Sequence, residues 1–423
     1  MRSPGYLRLR ALAFALGAAA FVLAFFHRVA PGAIAADLRA EFHASATMLG
    51  FVAAFYFYPY AAMQLPSGLL ADTAGPRRLF TGGLLVAGAG ALTFALAPGV
   101  GWLLAGRALV GLGVAVVFVS VLKLIASWFG EREFATWVGV LQLIGNLGGT
   151  LGAWPLAWLV QRVSWREVFA GVGLVSLALA ACTWLWVRDT PREAGVEGAG
   201  AAPPPAGAAA HGGWARGLAR VASNGQTWLA FAVLSGLIGS YLTFSGLWAV
   251  PYLMDAQGMG RERATLHVTV MILGFACSAP AAGLLSDRIG LRLPPLRAFS
   301  VGYLLCWLPW IMGWTLPFWG SLAVFAGMGV GISGAVTCWA IAKENNPPAL
   351  SGTATSVVNA GGFIAVAVLQ PAVGWIIDRA AGAPALEAYR GAAGLLAAVA
   401  LAGVLAAFAL KETRCRNVAM DPE

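Results

Sequence analysis

Apolar runs long enough to cross a membrane recur along the whole chain. Gly, Pro and charged residues bound the runs, and the polar breaks between them are short apart from one near the middle. The runs lie at about 11–35, 48–70, 79–97, 101–125, 134–160, 166–187, 227–252, 264–285, 296–315, 317–341, 352–376 and 391–411. Because about 20 mostly apolar residues span a bilayer as a helix, this pattern predicts an all-α integral membrane fold of twelve transmembrane helices.

The one long break divides the runs six and six. It covers 188–226 and contains Pro203, Pro204 and Pro205 among Ala and Gly, a composition typical of a linker. We therefore expect an N-terminal six-helix bundle over 1–187, a linker over 188–226 and a C-terminal six-helix bundle over 227–423.

The two halves also repeat each other in sequence. The segment 68–77 (GLLADTAGPR) matches the segment 283–292 (GLLSDRIGLR) at an offset of 215 residues. Pro155 in the fifth run corresponds to Pro371 in the eleventh. Two pseudo-symmetric bundles with a binding site at their interface are typical of secondary transporters.

Composition excludes several other classes of protein. Only 11% of the residues are charged and the mean hydropathy is +0.77, whereas a soluble domain carries about 25% charged residues. The net charge of +9 comes from cations dispersed at helix ends, so we expect no nucleic-acid partner. Five unpaired cysteines and four scattered histidines provide neither a metal site nor a catalytic cluster, so we expect no cofactor and no enzymatic activity.

The distribution of Lys and Arg predicts the orientation of the chain. If the N-terminus is cytoplasmic, 17 cations fall on the cytoplasmic side and 7 on the other, which places both termini and the linker in the cytoplasm. Arg2, Arg8 and Arg10 precede a first run that is too long for a signal peptide, so we expect an uncleaved first helix.

The apolar runs contain three cations and no carboxylate. The cations are Arg28, Arg107 and Lys123, whereas all 18 acidic residues fall in loops or at helix ends. A buried cation without a counter-ion favours binding of an anion, and the planar fork of Arg28 suits a carboxylate. Arg28 lies about 17 residues into the first run, which predicts a position near the bilayer midplane. The alternative is an arginine whose hydrogen bonds are satisfied by helix carbonyls, and Lys123 is expected to extend to the cytoplasmic surface.

His27 is the neighbour of Arg28 and titrates near neutral pH. A bound carboxylate would favour its protonated form, so His27 is a candidate for substrate binding and for proton coupling, with a neutral packing histidine as the alternative. Polar side chains at helical spacing are further candidates for substrate binding, with hydrogen bonding between helices as their alternative role. These candidates are Tyr56, Tyr60, Gln142, Asn146, Tyr241, Trp248 and Asn359.

Two loops and one helix carry a family resemblance. The repeated segments 68–77 and 283–292 resemble the signature loop of the major facilitator superfamily. Arg107 with Gly111 and Gly113 resembles the fourth-helix motif of that superfamily, which implies a role for Arg107 in helix packing or in coupling. The resemblance covers essentially the whole chain and implies transport by alternating access.

Two shorter segments resemble the bacterial organic-anion and sugar-acid symporters within that superfamily. They are 25–29 (FFHRV) and 127–133 (SWFGERE). His27 stands where those symporters often carry an aspartate. The fifth run lacks the element typical of proton-coupled drug exporters. The resemblance implies a bacterial inner-membrane protein.

The repeated loops are also candidates for gates. Asp72 and Asp287 suit the positive N-terminus of a neighbouring helix, and Arg77 and Arg292 are expected to tether the same cytoplasmic junction.

Together these features predict a secondary carrier that imports a small organic anion, a carboxylate, coupled to protons. We expect a monomer in the lipid bilayer, with its small-molecule anionic substrate and protons as partners. The alternatives are an exporter of drugs or metabolites and an importer of an anionic metal chelate such as a siderophore.

Overall fold

The chain folds into a bundle of long helices. The structure is a computed structural model that describes residues 4–129, 131–196 and 213–420. Within these residues the regular structure is helical, and twelve segments correspond to the predicted membrane helices. They are α1 (Pro4–Ala33), α2 (Ala46–Ala62 and Pro66–Ala74), α3 (Pro76–Ala95), α4 (Val100–Trp128), α5 (Glu131–Leu151 and Trp154–Leu159), α6 (Trp165–Trp186), α7 (Gly225–Ala256), α8 (Arg261–Ile289), α9 (Leu293–Leu305 and Leu308–Met312), α10 (Phe318–Glu344), α11 (Ser351–Arg379) and α12 (Ala385–Ala409).

Nine of these segments are long and apolar enough to span a membrane without a break, as judged over the described residues. The other three are α2, α5 and α9, and each has a physical reason to fall short. Breaks before Pro66 and after Leu305 divide α2 and α9 into shorter pieces. In α5, charged residues at its start and the polar residues Gln142 and Asn146 lower the hydropathy. The predicted twelve-helix fold of two six-helix bundles is confirmed.

Some local details differ from the sequence pattern. Pro155 lies in the first turn of the second piece of α5, whereas the corresponding Pro371 lies inside the continuous helix α11. The expected linker includes a described helix, Gly213–Ala222, and its Pro203–Pro205 segment lies outside the described residues. The boundaries of the two bundles and the linker therefore stay a prediction.

Glycines allow several of these helices to pack with their backbones in contact. In α5, a Cβ atom added at Gly148 would lie 2.1 Å from the carbonyl oxygen of Val22 in α1. In α4, a Cβ atom added at Gly111 would lie 2.0 Å from the carbonyl oxygen of Tyr56 in α2. Small residues at helix contacts are the usual means of close packing in membranes. Helix α1 is thus held directly against α5, and α2 against α4.

Gly148→Ala is therefore expected to destabilise the protein, whereas Gly139→Ala in the same helix is its matched control. A Cβ atom at Gly139 would meet no heavy atom within 4 Å, so alanine there should be neutral or stabilise the helix by about 0.5–1 kcal/mol. The clash at Gly148 should cost about 1–3 kcal/mol. Thermal unfolding of the two purified variants measures the difference, and equal melting temperatures would contradict the close α1–α5 contact.

Among the described residues, the ion pairs between the two halves lie at one face of the bundle. We call the face where α1 begins and α12 ends the terminal face, and the other the opposite face. At the opposite face, Arg39 pairs with Asp255 at 3.1 Å, and Arg261 pairs with Asp37 at 3.0 Å. Both pairs join one half to the other. By contrast, the ion pairs between described residues at the terminal face join residues of the same half.

Candidate substrate site between the two halves

Arg28 extends from α1 toward α2 in the contact region of the two halves. Its Nε donates to the hydroxyl of Tyr56 at 3.3 Å, and its Nη2 donates to the hydroxyl of Tyr60 at 2.8 Å. Its exposed fraction is 9%, and no ion pair joins it to a carboxylate among the described residues. Arg28 lies five residues before the end of α1 at Ala33, so it is farther from the middle of its helix than the apolar run suggested.

Three aromatic rings surround the guanidinium group of Arg28. The centroids of the Phe25, Tyr60 and Phe363 rings lie 4.4, 4.9 and 5.3 Å from its Cζ atom. Phe363 belongs to α11 in the second half, and its ring meets that of Tyr60 edge to face at 4.5 Å. We call Phe25, Tyr60 and Phe363 the aromatic cage. Cation–π attraction to these rings replaces part of the hydration that the guanidinium loses by burial.

A chain of side-chain hydrogen bonds crosses between the halves close to the aromatic cage. The Nε1 of Trp339 in α10 donates to the Oδ1 of Asn359 in α11 at 3.3 Å. The Nδ2 of Asn359 then donates to the Oε1 of Gln64 at 3.0 Å. We call these three residues the amide bridge. Gln64 lies in the break of α2, four residues beyond Tyr60, so one face of α2 contributes to both the cage and the bridge.

His27 faces away from this site. Its ring packs against Phe26, at 5.6 Å between centroids, and against Phe169 of α6, at 6.0 Å. Both ring nitrogens are buried without a hydrogen-bond partner among the described residues. Consecutive residues of a helix point about 100° apart, which explains why His27 and Arg28 contact different neighbours. The structure does not bring the two side chains together.

Arg107 connects three helices of the first half. From α4, its Nη1 donates to the carbonyl oxygen of His27 in α1 at 2.8 Å, and its Nε donates to that of Val52 in α2 at 3.1 Å. Its Cζ atom also lies 4.9 Å from the centroid of the Tyr56 ring. Arg107 is 1% exposed and packs against Tyr56, and its predicted role in coupling stays a prediction.

The remaining candidates bond within their own half. Asn146 donates to the carbonyl oxygen of Gln142 in its own helix at 2.9 Å. The Nε1 of Trp248 donates to the carbonyl oxygen of Gln370 at 3.1 Å, while Tyr241 is buried against Phe275. Gln142, Asn146, Tyr241 and Trp248 therefore form no contact with Arg28 in this structure, whereas Tyr56 and Tyr60 contact Arg28 directly and Asn359 lies in the amide bridge.

The signature loops form their contacts inside each half. The guanidinium of Arg77 donates to the carbonyl oxygen of Trp184, and its backbone N–H donates to Asp189 at 2.6 Å. In the second loop, Arg292 pairs with Asp287 at 2.6 Å and with Glu344 at 2.8 Å. The side chain of the predicted gate residue Asp72 lies outside the described residues. The predicted role of these loops as gates stays a prediction.

Sequence reasoning missed two carboxylates that cap helices at these loops. Asp189, which follows α6, accepts a hydrogen bond from the backbone N–H of Arg77 in α3. Glu412, which follows α12, accepts from the backbone N–H groups of Arg292 and Leu293 at 2.9 and 2.8 Å. Burial alone would raise the pKa of Glu412, but these N–H donors outweigh it and lower the pKa. Burial raises the pKa of Asp189, which has fewer donors. The repeated tripeptides Arg-Asp-Thr at 188–190 and Lys-Glu-Thr at 411–413 were the signal.

Helices long and apolar enough to cross a membrane, arranged in two halves with a buried cation at their junction, are typical of secondary transporters. The profile of the Major Facilitator Superfamily matches residues 16–368. The chain therefore belongs to this superfamily, and it is a transporter rather than an enzyme. No group of three or more potential metal ligands occurs among the residues that the structure describes.

Comparison with known proteins agrees with this assignment. A probable sulfoacetate transporter of Cupriavidus necator is 27% identical over 299 residues, which cover 66% of this chain and 65% of that protein. A probable galactarate/D-glucarate transporter of Escherichia coli is 24% identical over 405 residues, with 86% and 87% covered. A crystal structure of a D-xylose–proton symporter superposes with a TM-score of 0.73 at 14% identity, covering 98% of this chain and all of that one, which shows a common fold.

Proposed function

We propose that this transporter is a secondary carrier that imports a small organic anion, and that Arg28 binds the carboxylate of that anion. The observation that carries the proposal is the burial of Arg28 between the two halves with tyrosine hydroxyls, and no described carboxylate, as its partners. The names of two relatives, transporters of sulfoacetate and of galactarate or glucarate, support an organic anion as the substrate.

The contacts of Arg28 suggest how binding would drive transport. Among the described residues only neutral groups contact the charge of Arg28, so a carboxylate would add a charge-assisted hydrogen bond at low dielectric. Phe25 and Tyr60 belong to one half and Phe363 to the other. A ligand held at Arg28 would therefore touch both halves and favour the conformation in which they approach each other. Alternating access follows if either face can open while the ligand is absent.

Proton coupling forms a further part of the proposal. His27 shares a backbone contact with Arg107, which donates to the carbonyl oxygen of His27, so protonation of the imidazole would act on α1 through this packing rather than by contact with Arg28. We propose a monomer in the bacterial inner membrane.

Ligand binding tests the proposed function. The melting temperature of the purified protein is measured with pairs of compounds, each pair being a carboxylate and the corresponding neutral amide. Alkylamines serve as a third, positively charged class. A ligand that binds only the folded state raises the melting temperature, so carboxylates alone should give a shift. Uptake into proteoliposomes should follow an imposed inward proton gradient. Stabilisation by amines or amides, with none by carboxylates, would reject the anion proposal.

The proposed orientation has its own test. A reporter that is active only in the periplasm should be active when it is fused after Gly258, in the loop between α7 and α8. A reporter that is active only in the cytoplasm should be active when it is fused after Glu423. The excess of cations at the terminal face is the physical reason, because positively charged loops stay in the cytoplasm. The reverse pattern would overturn both the orientation and the cytoplasmic position of the predicted gates.

A further inference from the structure

We propose that the substrate carries a single anionic group on a flat, ring-containing body, rather than two charges or a polyhydroxylated chain. This inference rests on the proposed function, because it takes Arg28 as the anion-binding residue. It goes further by assigning the body of the ligand to the aromatic cage, with Phe363 as a specificity-determining residue.

The number of available cations limits the charge of the ligand. Arg28 is the cation that the aromatic cage surrounds. Arg107 packs against the Tyr56 ring, is 1% exposed, and uses Nε and Nη1 on two backbone carbonyls. Its Nη2 has no hydrogen-bond partner among the described residues but is buried in the helix packing, away from the aromatic cage. A second carboxylate or a sulfonate on the same ligand would therefore have no described cation within reach, and its desolvation would go uncompensated.

Most polar groups around Arg28 already form hydrogen bonds with other groups of the protein. Tyr56 donates its hydroxyl hydrogen to the carbonyl oxygen of Ala24 while it accepts from Arg28. Asn359 uses its oxygen on Trp339 and its nitrogen on Gln64. The hydroxyl hydrogen of Tyr60, the amide nitrogen of Gln64 and the second N–H of Asn359 are not used in hydrogen bonds between the described residues. These few donors suit the second oxygen of a carboxylate and one or two further acceptors, but they cannot satisfy a row of hydroxyl groups.

The aromatic rings favour a flat, apolar ligand body over a polyhydroxylated one. Phe25 is only partly buried, and Phe363 faces Arg28 from the other half, so a planar group whose carboxylate reaches the guanidinium would lie against aromatic surfaces. Aromatic rings whose centroids lie about 4.5–7 Å apart attract each other beyond simple burial of area. A site built to hydrogen-bond hydroxyl groups would instead present unpaired polar atoms at this place.

Four anions and one neutral compound separate these properties. Benzoate has one charge and a ring, terephthalate two charges and a ring, galactonate one charge and hydroxyl groups, and galactarate two charges and hydroxyl groups. Benzamide has the ring without the charge. We expect calorimetry on the purified full-length protein to show benzoate binding at least about tenfold more tightly than the other three anions, with benzamide binding absent.

Phe363→Leu tests the aromatic cage, and Phe408→Leu is its control because Phe408 is 53% exposed on α12. Phe363→Leu should weaken benzoate about three- to tenfold and leave galactonate within twofold, while Phe408→Leu should change neither. Tighter binding of galactonate or galactarate than of benzoate would overturn this inference and leave the proposed function intact. Equal binding of benzamide and benzoate, or no binding of any of the anions, would overturn both.

Discussion

Replacing Arg28 by alanine is expected to reduce substrate binding by about 2–5 kcal/mol, by analogy with removing one partner of a buried charge pair. The buried ligand carboxylate would lose its cation, because the neighbouring Tyr56 and Tyr60 supply neutral hydroxyl groups only. Binding is measured by calorimetry and uptake is measured at matched expression. The variant should still reach the membrane, since removal of a buried cation that lacks a carboxylate partner need not harm folding.

Arg28→Lys distinguishes the charge from the shape of the side chain. Arg28 donates from two separate nitrogens to two tyrosines, and an ammonium group cannot reproduce that fork while it also binds a carboxylate. We therefore expect only partial recovery of binding. Arg10→Ala is the matched control, because Arg10 is also on α1 and stacks over a ring, Phe129, but pairs with Glu133 away from the site. Wild-type binding by Arg28→Ala would show that Arg28 has a structural role.

The sequence predicts the fold well because the bilayer imposes a simple rule on it. Nearly every helix must be apolar over about 20 residues, so the runs and the repeat at 68–77 and 283–292 suffice to predict twelve helices in two halves. The pattern does not reveal the breaks within α2 and α9. Those breaks depend on Pro66 and Pro309, which hydropathy alone treats as ordinary members of an apolar run.

Helical spacing within single helices predicted part of the site, including Asn359 of the amide bridge. Tyr56 and Tyr60 follow helical spacing, and both contact Arg28. Phe363 and Trp339 were not singled out, because contacts between distant helices of the two halves bring them to the site and no local pattern encodes such contacts. His27 lies beside Arg28 in sequence, but the helical rotation directs its ring toward Phe169, and its predicted role in proton coupling stays a prediction.

Asp378 was also overlooked, although its contact joins the halves at the opposite face. The residue lies near the C-terminus of α11, where its own helix dipole disfavours a carboxylate. Its two oxygens accept instead from the backbone N–H groups of Ala46 and Thr47, at 2.9 and 2.8 Å, in the first turn of α2. Ser45 satisfies the next N–H group, that of Met48. The favourable electrostatic contact of Asp378 thus exists only while α2 and α11 are together at this face.

Asp378→Asn should therefore open the opposite face. An asparagine presents one acceptor oxygen and one amide donor to two N–H groups, so it loses both the charge and one hydrogen bond. Hydrogen bonds to a charged group contribute about 1.5–3 kcal/mol, which corresponds to a shift of about tenfold or more in the ratio of open to closed molecules. Cooler or warmer samples would change this ratio in all variants, so the comparison is made at one temperature.

The five native cysteines are first replaced, and new cysteines are introduced in pairs to carry spin labels. A pair at Val163 and Ala383 reports the distance across the opposite face. A second pair at Arg78 and Arg288 reports the distance across the terminal face. Glu41→Gln is the control, because Glu41 pairs with Arg166 at 2.7 Å within the first half and should not affect the relation of the halves. We expect Asp378→Asn to lengthen the first distance and shorten the second. The N–H groups of Ala46 and Thr47 lose the carboxylate as their partner when the halves separate. Unchanged distances in Asp378→Asn would therefore contradict this role of the carboxylate. They would mean that the close helix contact around Gly374 holds this face closed.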